Sequence, residues 1–367
     1  MTKRIILWMS VVMTGILHLR AEKPQLRLDY TTEFQTNFGI NSLKKPSLEK
    51  VNWVNLLHMD FTYSMNKAIS FRLSTISISE TTKKNIINDM LTFSNIEEES
   101  LHLAVSVAGI GFQFPVWGDV SSELFLGVRN LNEDYFTSPC TSFFINSSCG
   151  IFPTLSVNYP LANYPCSSLG MDYKIKYKNI GWEFSIYNGV GYKNMSGRDN
   201  VFRFAPSSDG VLGVSTFNIE NNGSSYYLGG ALYLGGSNFD VSGTEESRQK
   251  EKKKISQVAW SYAEQKISDN ITLLLHYSKA FGRNLECTDY AGGGFMFDGK
   301  SHRRNYEVGL YSGFAKFPDN YEFISEVSCK IMNLPFVESG YIQPALHYIK
   351  NDHTNGIVGM LRFGISI

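Results

Sequence analysis

The sequence has no apolar run of the roughly 20 residues that a transmembrane helix needs. Charged residues make up only 19% of the 367 positions, and 34 basic residues balance 34 acidic ones. A nucleic-acid-binding protein would carry a basic stripe, so no nucleic-acid partner is predicted. The motifs HExxH, CxxC and GxSxG are absent from the sequence. We therefore predict no enzymatic activity, no catalytic residue, no metal site and no cofactor.

Aromatic residues are abundant instead, with 25 Phe and 20 Tyr. The N-terminus begins with Lys3 and Arg4, continues with an apolar stretch over residues 5–17, and reaches Ala21 before a polar segment. This order is typical of a secretory signal peptide. We predict a signal peptide over residues 1–21 and an exported chain over residues 22–367, rich in strands that face an apolar medium.

Most of the chain after residue 25 alternates with a period of two. In the first segment Leu26, Tyr30 and Phe34 fall on one face, while Arg27 and Glu33 fall on the other. Such alternation indicates strands, and membrane-spanning strands need about 9–11 residues. Sixteen long segments fit: 25–38, 53–65, 67–79, 101–113, 121–129, 168–178, 181–191, 210–220, 223–235, 256–267, 270–281, 289–297, 302–315, 320–331, 335–349 and 356–367. We predict an all-β fold, a single antiparallel transmembrane β-barrel of about 16 strands.

The connections between these segments alternate between short turns and long loops. Long loops include residues 39–52, 80–100, 130–167, 192–209 and 236–255. Outer-membrane barrels have short periplasmic turns and longer external loops in this order. A barrel of 16 strands is wide enough to leave an aqueous channel, so charged residues on its inner face, Arg362 among them, would line a pore.

The 130–167 loop, the third external loop, is apolar and aromatic for its length. It carries Phe136, Phe143, Phe144, Tyr159 and Tyr164 among Asn, Ser and Pro residues. A segment this apolar has to be packed against something, and we predict that it folds into the lumen as a constriction loop. Its rings would either stack on solutes or pin the loop to the barrel wall.

Five cysteines leave one without a partner if two pairs form. Cys140 and Cys149 close a small ring within the 130–167 loop, and an exported protein meets an oxidising environment. We predict a structural disulfide between them, with Cys166 as a competing partner for either one.

Three segments resemble the carbohydrate-selective porins of the OprB-like family. They are NSSCGIFPTLSVNYPLANYP at 146–165, GWEFSIYNGVGY at 181–192 and FRFAPSSDGVLGVSTFNIE at 202–220. The resemblance implies a porin in the outer membrane of a Gram-negative bacterium that lets mono- or oligosaccharides diffuse through. It also implies arginine, acidic and aromatic residues at the constriction, for which Arg72, Glu123, Arg129, Tyr159 and Tyr164 are the candidates. The chain departs from the family by ending on Ile367 rather than on an aromatic residue.

Carbohydrate solutes and outer-membrane lipid are the expected partners, and the chain would act as a homotrimer or a monomer. Two other readings stay open at this point. One is a general, non-selective porin, and the other is a barrel enzyme of the lipase or protease type.

Overall fold

The computed structural model describes residues 23–39, 51–80, 86–96, 98–133, 135–236, 255–282, 284–301, 304–334 and 337–367. The predicted signal peptide therefore lies outside the described residues. Within these ranges the chain forms sixteen antiparallel strands that close into one barrel, with β1 paired to β16. The predicted fold class and strand number are confirmed.

The strands run as follows: β1 Gln25–Asn37, β2 Val51–Asn66, β3 Ile69–Glu80, β4 Leu101–Trp117, β5 Val120–Arg129, β6 Ser168–Tyr177, β7 Ile180–Asn188, β8 Val211–Asn221, β9 Ser224–Leu234, β10 Ile255–Ser268, β11 Ile271–Phe281, β12 Asp289–Ser301, β13 Arg304–Lys316, β14 Tyr321–Leu334, β15 Val337–Asn351 and β16 Asn355–Ser366. Short helices lie in the loops: α1 Pro139–Phe143, α2 Pro153–Ser156 and α3 Pro206–Asp209, with 3₁₀ turns at Leu131–Glu133 and Ser147–Cys149. None of the helices in the described ranges is long and apolar enough to cross a membrane.

Every strand pairs with its sequence neighbour, so the chain goes up and down around the barrel. The short turns therefore gather at one end and the long loops at the other. The β8–β9 turn is an example of the tight turns at the end with the short connections. Its Asn222 and Gly223 both have positive φ angles, 48° and 79°. Two successive positive φ angles are what a tight hairpin turn requires, and Asn and Gly adopt them at the least cost.

The alternation separates the two faces of the wall as predicted. Large apolar side chains are exposed on the outer face, among them Leu26 at 59%, Leu228 at 65% and Leu275 at 52%. On the inner face, Glu33 and Arg362 are paired across the β1–β16 seam and are almost fully buried. The Arg362 Nη2 atom lies 2.7 Å from Glu33 Oε2, which places an ion pair at the strand junction that closes the barrel.

Candidate functional site

The 130–167 loop lies inside the barrel. The Tyr135 hydroxyl is 2.7 Å from the Ser185 hydroxyl of β7, and the Thr154 hydroxyl is 2.8 Å from the Ser278 hydroxyl of β11. The Phe143 carbonyl accepts a hydrogen bond of 2.8 Å from the side chain of Gln343 on β15. Only the interior of a closed barrel lets one segment reach strands this far apart around the wall.

Two buried carboxylates of the wall hold the backbone of this loop. Glu326 on β14 accepts hydrogen bonds from the amides of Ile145, at 2.9 Å, and Asn146, at 3.0 Å. Glu264 on β10 accepts from the Ser138 hydroxyl and from the Cys140 amide, so it caps the start of α1. Each glutamate accepts two backbone or hydroxyl hydrogen bonds from the loop, so the two side chains together fix its path.

Aromatic contacts fill the space between the loop and strands β9 to β13. The Phe152 ring lies 5.3 Å from the His276 ring and 5.9 Å from the Tyr290 ring, and Phe136 lies 5.2 Å from Trp260. Gly309 on β13 makes room for this packing, since an added Cβ would lie 2.3 Å from Phe143 Cε1. This side of the lumen is consequently closed by side chains.

A second loop, residues 86–96, also folds into the barrel. The sequence analysis did not predict this inward fold. The amides of Met90 and Leu91 donate to the carboxylate of Glu322 on β14, at 2.8 and 2.7 Å. The Asn95 amide donates to the Ile145 carbonyl at 2.8 Å, so the two loops are joined. The sequence feature that could have predicted this inward fold is the apolar content of the segment, which includes Leu91 and the fully buried Phe93.

Asp89 makes this second loop sensitive to pH. Removal from water, reinforced by the neighbouring Glu322 carboxylate, raises the pKa of Asp89 to about 7. The folded state therefore binds a proton that the unfolded chain releases near pH 4. This contribution to stability is fully present below pH 4 and is lost as the pH rises through about 7.

Raising the pH from 4.5 to 8 is expected to lower the thermal unfolding midpoint of the wild-type barrel in detergent. The decrease should be larger than the decrease measured for Asp89→Asn. The amide keeps an acceptor for the Phe93 amide, 2.8 Å from Asp89 in the wild type, but cannot ionise. Asp319→Asn, in an exposed turn, is the matched control and should keep the wild-type slope. Identical slopes for wild type and Asp89→Asn would contradict the expectation.

A cavity of about 520 Å³ remains between the two loops and strands β1, β2 and β16. Its polar lining comes from Asn95, Glu98, Asn132, Asn163 and Arg362, together with hydroxyl groups of several Ser and Thr residues. The described part of the lumen is thus divided into a packed side and an open side with a polar lining. The open side can offer amide and hydroxyl groups to a polar solute.

Charged residues of both signs lie on the inner wall near this cavity. Arg72 on β3 is 3.9 Å from the carboxylate of Glu133, which the 3₁₀ turn after β5 brings inward. Burial raises the pKa of Glu133, and the charges of His58, Arg72 and Arg129 oppose that shift. Further around the wall, on β6 and β7, Lys174 lies 3.3 Å from Glu183 beside a second, smaller cavity. The lining is therefore mixed in sign.

Two of the six candidate site residues, Tyr164 and Arg362, line the cavity together. The Tyr164 hydroxyl donates to the Ile96 carbonyl at 3.2 Å, and Arg362 also binds the Asn95 side chain at 2.7 Å. Both therefore support the 86–96 loop as well as bordering the free space. Their contact with solute stays a prediction.

The other four candidates do not line this cavity. Arg72 pairs with Glu133, as described above. Arg129 is 2% exposed and lies 4.4 Å above the Phe125 ring. Tyr159 is 6% exposed and stacks on Tyr233 at 5.0 Å, so it pins the loop to the wall. Glu123 accepts a hydrogen bond of 2.6 Å from Gln113, and it borders a separate, smaller cavity.

Cys140 and Cys149 are both buried in one cluster with Phe143, Phe144 and Tyr311. The structure describes them as free thiols, and Cys166 is also free. Their placement in one cluster is compatible with the proposed pairing, and the disulfide stays a prediction.

No family model and no curated protein matches this chain. Solved structures do. The high-pH structure of OprB from Pseudomonas putida is 15% identical and superposes with a TM-score of 0.70 over 94% of each chain. A loop L8 deletion mutant of OmpT, an outer membrane protein of Vibrio cholerae, is 11% identical with a TM-score of 0.56, over 94% of this chain and 99% of that one.

A mutant of the Rh. blastica porin is also 11% identical, with a TM-score of 0.52, over 94% of this chain and 100% of that one. These likenesses show the fold, which is the sixteen-stranded barrel of porins.

Proposed function

We propose that this chain is an outer-membrane porin through which carbohydrates diffuse down their gradient. The observation that supports this proposal most directly is the polar-lined cavity beside the 130–167 loop, inside a barrel whose outer face is apolar. The porin-type barrel of the solved neighbours supports this function, and the sequence resemblance to the carbohydrate-selective family supports the solute class. The loop is the constriction, and residues 22–367 form the exported barrel.

The outer face supports the membrane assignment. Exposed large apolar side chains recur on nearly every strand, and Trp53, Trp182 and Phe217 are each more than two-fifths exposed. Monomeric soluble proteins rarely carry so extensive an apolar surface. The sixteen described strands are hydrogen-bonded to each other around a closed barrel, so none of them has an unpaired edge. A β-sheet can span the hydrocarbon core of a membrane only when its edges are paired in this way. Outer-membrane lipid is then the partner of this face.

The inner face supports a neutral polar solute. Opposite charges pair with each other, as Arg362 does with Glu33, and so present no field of one sign to an ion. Asn132 and Asn163 contribute amides to the cavity, and Tyr164 contributes part of its ring. These groups suit the hydroxyls and apolar faces of a sugar ring. The path lies within one chain, so a monomer and a homotrimer would use it alike.

A planar-bilayer recording tests the function. We expect steady open conductance that falls when a maltose-series or similar neutral oligosaccharide is added. Asn132→Trp places an indole in the cavity and should lower both conductance and sugar block, whereas Ser207→Trp, on an exposed external loop, should change neither. Absence of conductance would refute the porin. Conductance unaffected by sugars would favour the general, non-selective porin.

A further inference from the structure

Three side chains with metal-binding atoms come together on the inner wall of β1 and β2. Asp29 and His58 are directly opposite each other in the β1–β2 register, and Asp60 follows His58 by two positions on the same face. One ligand atom from each residue lies within 4.8 Å of the other two. The two strands are hydrogen-bonded along this stretch, so the backbone holds the three residues in a fixed arrangement.

The distances are close to those of a zinc centre. With Zn–N and Zn–O bonds of 2.0–2.2 Å in a tetrahedral site, neighbouring donor atoms are about 3.4 Å apart. His58 Nδ1 lies 3.5 Å from Asp60 Oδ2. One carboxylate oxygen of Asp29 lies within 4.8 Å of both of these atoms. Three protein donors leave the fourth position to water.

Neighbouring side chains orient the carboxylates of Asp60 and Asp29. The Ser74 hydroxyl on β3 donates to Asp60 Oδ1, which leaves Oδ2 turned towards His58. Such outer contacts are a regular part of metal sites, because they fix the orientation of the ligands. Arg27 Nε donates to Asp29 at 3.0 Å and to the Ser366 hydroxyl at 3.1 Å, so Asp29 would exchange its contact with Arg27 for the ion.

Charges of both signs surround the site. Asp29, Asp60 and Glu133 supply three carboxylates, and Arg27, Arg72 and Arg129 supply three guanidinium groups nearby. The side chains of His58 and Asp60 are 26% and 30% exposed, so an ion can enter from the lumen.

We propose that Asp29, His58 and Asp60 form a divalent-metal site in the lumen wall that takes Zn²⁺. The imidazole and carboxylate donors match the preference of zinc for nitrogen and oxygen ligands. The ion binds between the 130–167 loop, which supplies Glu133, and the mouth with the short turns. In that position it adds positive charge to the path that a solute follows. Binding itself does not depend on transport.

Zinc titration of the full-length barrel in detergent, against a competing chromophoric chelator, tests the site. The protein carries a tag without histidine. We expect one Zn²⁺ per chain in the wild type and affinity at least about ten-fold weaker in His58→Ala and in Asp60→Asn. His102→Ala, which removes an exposed histidine from β4, is the matched control and should bind as the wild type does. Heat-modified mobility on gels confirms that each variant is folded.

Equal zinc affinity in wild type, His58→Ala and Asp60→Asn would overturn the site. A bilayer recording provides a separate readout, in which Zn²⁺ should reduce the conductance of the wild type and not that of His58→Ala. If no variant conducts but zinc binding follows the expected order, the porin function fails and the metal site stands.

Discussion

Replacing residues 136–165 by a short glycine–serine linker is expected to raise single-channel conductance several-fold. The two ends of the loop already meet, because the Leu131 amide donates to the Ala162 carbonyl at 2.8 Å. A short linker therefore closes the gap without stretching β5 or β6. Removing the segment takes away the aromatic packing around Phe152 and leaves the wide lumen that sixteen strands enclose.

The recording should also show loss of the sugar effect, because the narrow cavity disappears with the loop. Deletion of residues 195–199 from the exposed external loop is the matched control, and it should leave conductance unchanged. The shortened barrel must still close, which its heat-modified mobility on gels reports. A closed barrel with wild-type conductance would mean that the 130–167 loop does not limit the path.

Glu326→Ala should release the same loop without shortening it. The Ile145 and Asn146 amides would lose a buried charged acceptor, and each such bond contributes about 1.5–3 kcal/mol. A total loss of about 3 kcal/mol would raise the population of the open loop on the order of 100-fold. Cleavage within the loop by an added protease should accelerate by a similar factor, and the current should become noisy.

Glu326→Gln serves as the graded variant, because it keeps the volume and one acceptor oxygen but loses the charge; its effect should be intermediate. Glu220→Ala is the matched control. Glu220 forms an ion pair of 2.9 Å with Lys176 in which both side chains are about half exposed, and such pairs contribute little. Protease resistance of Glu326→Ala equal to that of the wild type would show that the carboxylate does not hold the loop.

The barrel could be predicted from the sequence because its determinants are local. A strand with one face in lipid and one in water alternates over its whole length, and sixteen such stretches were visible. The largest boundary error was four residues, for example at β4, which continues to Trp117 instead of ending near residue 113. Pro115 lies within this extension, where the β4–β5 register shifts, and an irregular position tolerates a missing amide.

The site could be predicted only in part, because its contacts join residues far apart in the sequence. The aromatic content of the 130–167 loop indicated that the loop must be packed, but not that Tyr159 faces the wall. The 86–96 loop was interpreted by its length alone, and its inward fold was missed. The alternation of the strand correctly placed Glu123 on the inner face of the wall. Alternation does not give the position of a residue along or around the barrel, so Glu123 was assigned to the constriction although it borders a different cavity.

The carboxylates that hold the two inner loops also set an order of events during assembly. Glu326 follows Ile145 by 181 residues, and Glu322 follows Leu91 by 231. Neither loop has its complete set of hydrogen bonds until β14 is in place, so its final position is fixed late in the closing of the barrel. The aperture therefore takes its final size only with the arrival of β14, a strand far along the chain from the two loops that fill the lumen.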